Sequence, residues 1–491
     1  MNHGRERATG LPWSRAVFLA SLVSLLTACS ITRAPENVPI SHIDENSGYR
    51  RIDLERLENL GDTVVLLSFS GGGTRAAALS YGVLEELRDT LLERNGEQVR
   101  LLDEVDAISS VSGGSFTAAY YGVYRDRIFE DYEDEFLRQG VQKALIMQLL
   151  NPAHWIRSAF SGFDRTEMAV DYYDRKIFKG ATFGDIERQG PPFIDINATD
   201  LTTGLRFTFS QERFDLLCTD LAGYPVARAV TASSAVPVLF PTVVLRNYAD
   251  QCDVEATREW ELLEYADRNA ETIAQRELVD GLMSYRDVER REFIHLVDGG
   301  IADNLGLRVL IDRFESYSEV GFDFLRRNPP RNFVLIMVNA EVKPETYIEK
   351  HAKKPSAATT MNAYTSAQMN RYNQETLDRL KSNIDQFQSR LLAEKIRTRI
   401  YFARVDFDQI KAREVSTILN SLPTSLELEE IQVDRLIAAG RFLLRSDPEF
   451  ARFKQDNDVT MSETAIAYEE LCRRFGYQEC EESQIKAIRA R

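Results

Sequence analysis

The chain has 491 residues, 44% of them hydrophobic, with 76 acidic against 60 basic side chains and a formal net charge of -16. That length and apolar content suffice for a substantial core in one large domain or two ordinary ones. The acidic balance argues against nucleic acid as a partner and gives no electrostatic attraction to anionic lipid headgroups.

Residues 1–28 have the parts of an export signal. Arg5, Arg7 and Arg15 form a basic stretch, and the mostly apolar run Ala16 to Ala28 follows; it is too short to span a bilayer comfortably. The run ends in Leu26-Thr27-Ala28-Cys29, which resembles the lipobox of bacterial lipoproteins. The resemblance implies that Cys29 becomes the acylated first residue, and Ser30 beside it implies sorting to an outer membrane. Since no second apolar run reaches spanning length, the expected mature chain is anchored to a membrane and does not cross it. Residues 1–28 carry three Arg and one Glu, so their removal takes the net charge to -18. Residues 29–60, polar and containing Pro35 and Pro39, read as a tether.

From residue 61, apolar β-branched runs alternate with helical patterns. Thr63 to Phe69, Leu102 to Ser109, Phe193 to Asn197, Phe293 to Val297, Phe333 to Val338 and Ile400 to Val405 predict strands, and Arg75 to Arg94 predicts an amphipathic helix. Leu145 to Leu150, near Trp155 and Phe160, suits either an acyl-chain channel or an ordinary core helix. The alternation predicts an α/β three-layer domain with a mostly parallel central sheet over residues 61–345. Within it, residues 249–291 form a charged helical insertion with Trp260, Leu262, Leu263 and Tyr265, readable as a lid or as a solvated excursion. Residues 346–491 predict a helical C-terminal region with one further strand, packed on the same domain; its longest helical stretches are 361–397 and 426–446.

With Cys29 assigned to lipid, Cys218, Cys252, Cys472 and Cys480 remain. An even number in an exported chain reads as two disulfides. Spacing favours Cys218 with Cys252 and Cys472 with Cys480, each closing a local loop; free buried thiols are the alternative. No pair combines close ligand spacing with a nearby His, so no metal site is expected.

Ser70-Gly71-Gly72-Gly73-Thr74-Arg75 joins the first strand to the first helix. Consecutive glycines let several N–H groups turn toward one point at the positive end of a helix dipole. A phosphate-binding P-loop is excluded, because no Lys-Ser or Lys-Thr follows. A dinucleotide fingerprint fits Gly71, Gly73 and Ala76, but it wants an acidic residue at the end of the next strand. Asp103, Glu104 and Asp106 lie at that strand's beginning and middle.

The strand ends instead in Ser110-Val111-Ser112-Gly113-Gly114-Ser115. Ser112 has small neighbours two residues away on each side, as a strained strand-to-helix elbow requires. Ser110 stands where the usual G-x-S-x-G pattern has glycine, and taken alone the motif also suits a Ser/Gly-rich turn. Histidines are few: besides His3 there are His42, His154, His295 and His351. His295 is the best triad candidate, but at three residues from Asp298 it faces the other side of an alternating strand. A satisfied core histidine is the expectation.

Gly71-Gly72-Gly73-Thr74-Arg75 after a strand, Ser112 in an elbow and Asp298-Gly299-Gly300 resemble the three signature blocks of patatin-like phospholipases. Lesser blocks agree, in order: Ile196-Asn197-Ala198-Thr199-Asp200, Ala232-Ser233-Ser234-Ala235-Val236-Pro237, Phe240-Pro241 and Asp303-Asn304. The likeness covers about residues 60 to 340 and is weaker at Leu422-Pro423-Thr424. It implies a serine acyl hydrolase of phospholipase A or esterase type acting on membrane-derived acyl esters, without metal or cofactor. Ser112 is then the nucleophile and Asp298 its base, in a Ser/Asp dyad that explains the scarcity of histidine. Gly71, Gly72, Gly73 and Gly113 form the oxyanion hole, and Arg75 orders the glycine loop or meets a lipid phosphate. A free Asp, with a pKa near 3.9, is a weak base, so Asp298 must occupy a desolvated pocket. The alternative is a lipid-anchored binding or scaffold protein of the same fold, and only Ser110 points that way.

The anchor has a direct test. Fractionation should find the wild-type chain with membranes and Cys29→Ser as precursor or soluble protein, and the mass of the N-terminal peptide should show acyl chains on Cys29. An unmodified Cys29 in soluble wild type would remove the anchor.

Overall fold

The computed structural model describes residues 35–50, 62–94, 96–149, 164–236, 240–316, 326–327, 329–342, 352, 354–410 and 413–475. Cys29, His154, Trp155, Phe160, His351 and Cys480 lie outside them.

The main sheet contains β1 (Thr63–Phe69), β2 (Val105–Val111), β3 (Phe193–Asp200), β4 (Arg206–Thr208), β5 (Val243–Arg246), β6 (Phe293–Asp298), β7 (Asn332–Asn339) and β8 (Arg399–Asp406). Their spatial order is β8-β7-β1-β2-β3-β6-β5, with β4 also on β3. The run from β8 to β3 is parallel throughout. β4 and β6 run antiparallel to β3, and β5 antiparallel to β6. The helices that matter for the site are α1 (Thr74–Arg88), α2 (Gly113–Tyr124), α3 (Val226–Ser233), α4 (Arg258–Arg268), α5 (Ile273–Met283), α6 (Gly300–Asp303), α7 (Arg308–Ser316), α8 (Ala357–Ala393) and α9 (Glu430–Ser446).

Period-two alternation divides the central strands between two cores. Val334, Ile336 and Val338 of β7 join Val65 and Leu67 of β1 and Tyr401, Ala403 and Val405 of β8 in a core that α1, α2 and α9 complete. Leu335 and Met337 face the other way, packing with Leu305, Leu307 and Ile311 and with Leu380 of α8. The sheet is therefore covered on both faces, giving the three-layer α/β fold with a mostly parallel sheet.

Local patterning misplaced three features. The helix expected to reach Arg94 ends at Arg88, and Thr90–Arg94 is a strand between Glu97–Arg100 and Thr460–Met461. Leu91-Leu92-Glu93 suits a helix by spacing, but pairing with a distant segment overrides it. Residues 35–50, expected within the tether, lie on the domain. Val38–Pro39 pairs with Thr219–Asp220, and buried Tyr49 stacks on Phe193 at 4.3 Å. His295, expected in the core, is exposed and shares a 3.0 Å hydrogen bond through Nδ1 with the Thr242 hydroxyl. It sits near the sheet margin, where β6 meets the last strand, β5.

Cys218 and Cys252 form a disulfide at the start of the insertion, and Cys472 is also disulfide-bonded. The insertion folds as α4 and α5, which bury Trp260, Leu263, Val279 and Leu282. A side chain at Gly281 would collide with Leu205 just before β4, and Tyr285 and Arg291 both reach buried Asp200 at the tip of β3. The insertion is thus a packed layer at the β4 edge. The helix Val141–Leu149 turns Leu145 inward and leaves Ile146 and Met147 exposed.

The C-terminal region adds β8 to one edge and lays α9 across α1. At their contact, a Cβ at Gly440 would strike the Leu79 carbonyl and one at Gly82 the Ile437 carbonyl. Only glycine permits that approach. Buried Arg441 binds Asp89 at 2.5 Å and Arg445 binds Glu86 at 2.6 Å across the same interface, so these charges enter the interior as pairs. Gly440→Val should lower stability by about 1–3 kcal/mol or more, read as a lower urea midpoint; an unchanged midpoint would rule out this packing.

Candidate active site

Ser112 closes β2 and precedes α2 with φ 49° and ψ -118°, a sparsely populated backbone state for a side-chain-bearing residue. The strain is tolerated because the neighbours leave the backbone no alternative. A Cβ at Gly113 would collide with the Gly73 carbonyl, and one at Gly114 would lie 2.7 Å from Phe69 Cβ. Ser110 is accommodated where the motif usually has glycine. Its hydroxyl donates to the Asp195 carbonyl at 2.9 Å and accepts from Ser115 at 3.1 Å, so no polar atom is stranded.

The strand register delivers the second residue. β3 outlasts β2: Val111 pairs with Asn197, and Ala198 to Asp200 continue beyond the end of β2. One edge of that overhang takes β4 and the other takes β6 antiparallel, with Asp298 opposite Ala198. β6 therefore runs in toward the end of β2 and places Asp298 at the elbow. Ser112 Oγ donates to Asp298 Oδ2 at 3.0 Å, and Asp298 Oδ1 accepts the Gly300 amide at 2.8 Å. The Asp298 and Gly299 amides donate to the Ala235 and Ser233 carbonyls, both at 3.0 Å.

Both dyad residues are buried, Ser112 7% and Asp298 8% exposed. Burial is the main cause that pushes the Asp298 carboxyl up to about 6, opposed by hydrogen bonds from the Gly300 amide and the Ser112 hydroxyl. A carboxylate so placed is a competent base near neutral pH.

The glycine loop lies against the serine. Gly72 and Gly73 take positive φ, 139° and 62°, which glycine alone adopts freely. The Gly71 amide donates to the Asn304 carbonyl at 3.0 Å, which withdraws it from the expected oxyanion donors. The amides of Gly72, Gly73 and Gly113 have no acceptor among the described residues. Arg75 is buried, donating to the Ala340 carbonyl at 2.8 Å, the Leu422 carbonyl at 2.7 Å and the Thr424 hydroxyl at 3.0 Å. These contacts tie the first turn after the glycine loop to Ala340 and to residues 422–424.

Other contributors went unassigned in the sequence. Ser233 Oγ accepts the Ser112 amide at 2.8 Å and donates to the Asn197 carbonyl at 2.6 Å, binding elbow, α3 and β3 together. Both belong to blocks already singled out, but nothing local assigns them this role. Thr74 donates its amide to the Ser425 carbonyl at 2.8 Å. Met369 of α8 lies against Gly300, where a Cβ would come within 3.1 Å of its methyl. No sequence signal marks either contact. Among the described residues no group of three or more His, Cys, Asp or Glu could hold a metal.

Residues 67–311 match the family model described as patatin-like phospholipase, and the chain belongs to that family. Among solved structures it is similar to human GIVD cytosolic phospholipase A2, with 11% identity and a TM-score of 0.33. The alignment covers 58% of this chain and 47% of that one, so the chain spans about half of that protein's length. No curated protein sequence matches it.

Holding Asp298 ionised at pH 7 with its carboxyl near 6 and not at 3.8 destabilises the fold by roughly 3 kcal/mol. The folded state binds this proton more tightly than the unfolded state, so the penalty is full above about pH 6 and fades as pH falls toward 4. Asp298→Asn should therefore melt no lower than wild type at pH 7, with any advantage shrinking by pH 4. A uniformly lower melting temperature would contradict the buried-carboxylate geometry.

Proposed function

We propose that this chain is a serine acyl hydrolase, of phospholipase A or esterase type, that cleaves acyl esters of membrane-derived lipids. The observation that carries the reading is the 3.0 Å bond between Ser112 Oγ and Asp298 Oδ2 beside three unengaged backbone amides. In the proposed cycle, Ser112 Oγ attacks the ester carbonyl carbon while its proton passes to Asp298 Oδ2. The carbonyl oxygen becomes an oxyanion facing the amides of Gly72, Gly73 and Gly113, each such donor being worth about 10² to 10³ in rate. Collapse breaks the ester C–O bond, and the leaving alkoxide takes the proton from Asp298. Water, deprotonated by Asp298, then attacks the acyl carbon; the C–O bond to Ser112 breaks, Ser112 Oγ takes the proton back from Asp298, and the fatty acid leaves. Every step uses only the protein's own groups and water.

We further propose that the enzyme works as an exported lipoprotein, held by acyl groups on Cys29 at an outer membrane. That location sets an acidic protein beside its substrates without relying on headgroup electrostatics. The rival scaffold reading rested on Ser110, whose hydrogen-bonded place in the elbow leaves it little support.

A fluorophosphonate probe tests the nucleophile: wild type should be labelled and Ser112→Ala should not. Labelling of neither would favour the scaffold. Asp298→Asn should reduce turnover by about 10³ or more, and wild-type kcat/KM should rise with pH through about 6 as Asp298 loses its proton. Near wild-type turnover in Asp298→Asn, with loss in His295→Ala, would return the triad.

A further inference from the structure

One polar side chain beside the dyad is engaged by nothing else in the described chain. Asn304 follows the short helix α6 and is only 6% exposed. Its main-chain carbonyl holds the Gly71 amide, whereas its side-chain carboxamide makes no hydrogen bond among the described residues. Neither terminal atom of that carboxamide is sealed from solvent. A largely buried amide without a partner is costly, and native structures satisfy nearly all such groups.

Two glycines make room for it. A Cβ at Gly71 would lie 2.6 Å from Asn304 Oδ1 and 3.4 Å from Ser112 Cβ. One at Gly300 would lie 3.1 Å from the same oxygen and 3.0 Å from Asp298 Oδ1. The carboxamide is therefore seated between the two backbone segments that flank the dyad, next to nucleophile and base alike. Asp298 does not use it, since its carboxyl takes its hydrogen bonds from the Ser112 hydroxyl and the Gly300 amide. Nor does it lie beside an open loop amide: Gly71, its neighbour, has turned its own amide to the Asn304 carbonyl.

An ester bound at the dyad presents two oxygens. In the proposed cycle the carbonyl oxygen is answered by the amides of Gly72, Gly73 and Gly113, whereas the alkoxy oxygen is left with Asp298 alone. That oxygen is an acceptor until it receives its proton, so the group that suits it is an N–H donor near the base. We propose that Asn304 Nδ2 donates a hydrogen bond to the alkoxy oxygen of the bound ester, sharing the charge that develops there as the C–O bond breaks. The inference rests on the hydrolase reading. Asn304 itself neither gives nor takes a proton, and the leaving oxygen still receives its proton from Asp298. Such a contact favours esters of weakly acidic aliphatic alcohols, glycerol among them, over activated esters whose leaving group carries its charge unaided.

Asn304 has ordinary helical dihedrals, φ -61° and ψ -25°, so alanine fits there without backbone strain. Wild type and Asn304→Ala are compared on two esters of one fatty acid, the p-nitrophenyl ester and the monoacylglycerol. The variant should lose about tenfold more kcat/KM on the glycerol ester than on the nitrophenyl ester. It should still be labelled by a fluorophosphonate, which expels fluoride and needs no help for its leaving group. An equal loss on both esters, or no loss on either, overturns the proposal, because a merely structural side chain does not sense the leaving group. A fall in kcat alone, the same for both esters, also overturns it by placing Asn304 at the water step. Asn304→Leu, which keeps the volume without the donor, supplies the comparison if the alanine variant does not fold. Wild type that turns over neither ester would overturn the hydrolase reading and this contact with it, an outcome distinct from any difference between variants.

Discussion

The overhang of β3 beyond β2 is the constraint from which the site follows. Had the two strands ended together, the edge that receives β6 would not exist, and Asp298 would have no hydrogen-bonded place beside Ser112. With the overhang present, β6 enters from outside the sheet, and its last residue faces the elbow in the same layer as Ala198. The close backbone approach at Gly299, where a Cβ would strike the Asn197 carbonyl, is a consequence of that entry. So is the network of Asn197, Ser233 and Ser112, since all three must fit where β2, β3 and β6 converge. Distance across the dyad is thus set by backbone pairing, which is stiffer than side-chain packing.

The electrostatics depend on what is kept away from Asp298 as much as on what touches it. Buried Asp200, two residues farther along β3 than Ala198, meets Arg291 and Tyr285. Asp298 meets only a hydroxyl and an amide, and no cation figures among the causes acting on its carboxyl. An arginine beside it would hold the carboxyl low and leave a poor base. Arg75, just after the glycine loop, is held by three oxygens from Ala340, Leu422 and Thr424. The strain at Ser112 and the unfavourable burial of Asp298 are both local instabilities, and such instabilities cluster at functional sites.

What could be read from the sequence was what neighbouring residues impose on one another. Three glycines after a strand, a serine between small residues and an Asp-Gly-Gly each restrict their own backbone, so the glycine loop, the elbow and Asp298 were legible as segments. Their convergence was legible only through family likeness. Contacts that bind sequence-distant segments left no local trace: Ser233 on Ser112, Ser425 on the glycine loop and Met369 on Gly300 span 121, 351 and 69 positions of the numbered chain. The same cause explains the errors. Thr90–Arg94 follows a partner strand near residue 460 against its own helical spacing, and Tyr49 draws residues 35–50 onto Phe193 although their polarity reads as tether. Gly71 could be included among the oxyanion donors only while the Asn304 carbonyl, 233 positions away, was out of view.

The C-terminal region therefore cannot be treated as an appendage to a self-sufficient hydrolase domain. Residues 422–425 lie beyond the 67–311 segment that matches the family, yet they supply two carbonyls and a hydroxyl to the first turn behind the glycine loop. A Cβ at Gly73 would strike the Ser425 carbonyl, so the loop that presents the Gly72 and Gly73 amides is closed from outside by this segment. The segment is in turn positioned by α9, whose glycine contact and buried ion pairs lock it against α1. Since α1 begins at the end of the glycine loop, the helix that orients the amides and the helix that braces the segment across them are held as one rigid pair. The placement of the Gly72 and Gly73 amides belongs to the whole described chain, and the signature residues alone would not maintain it.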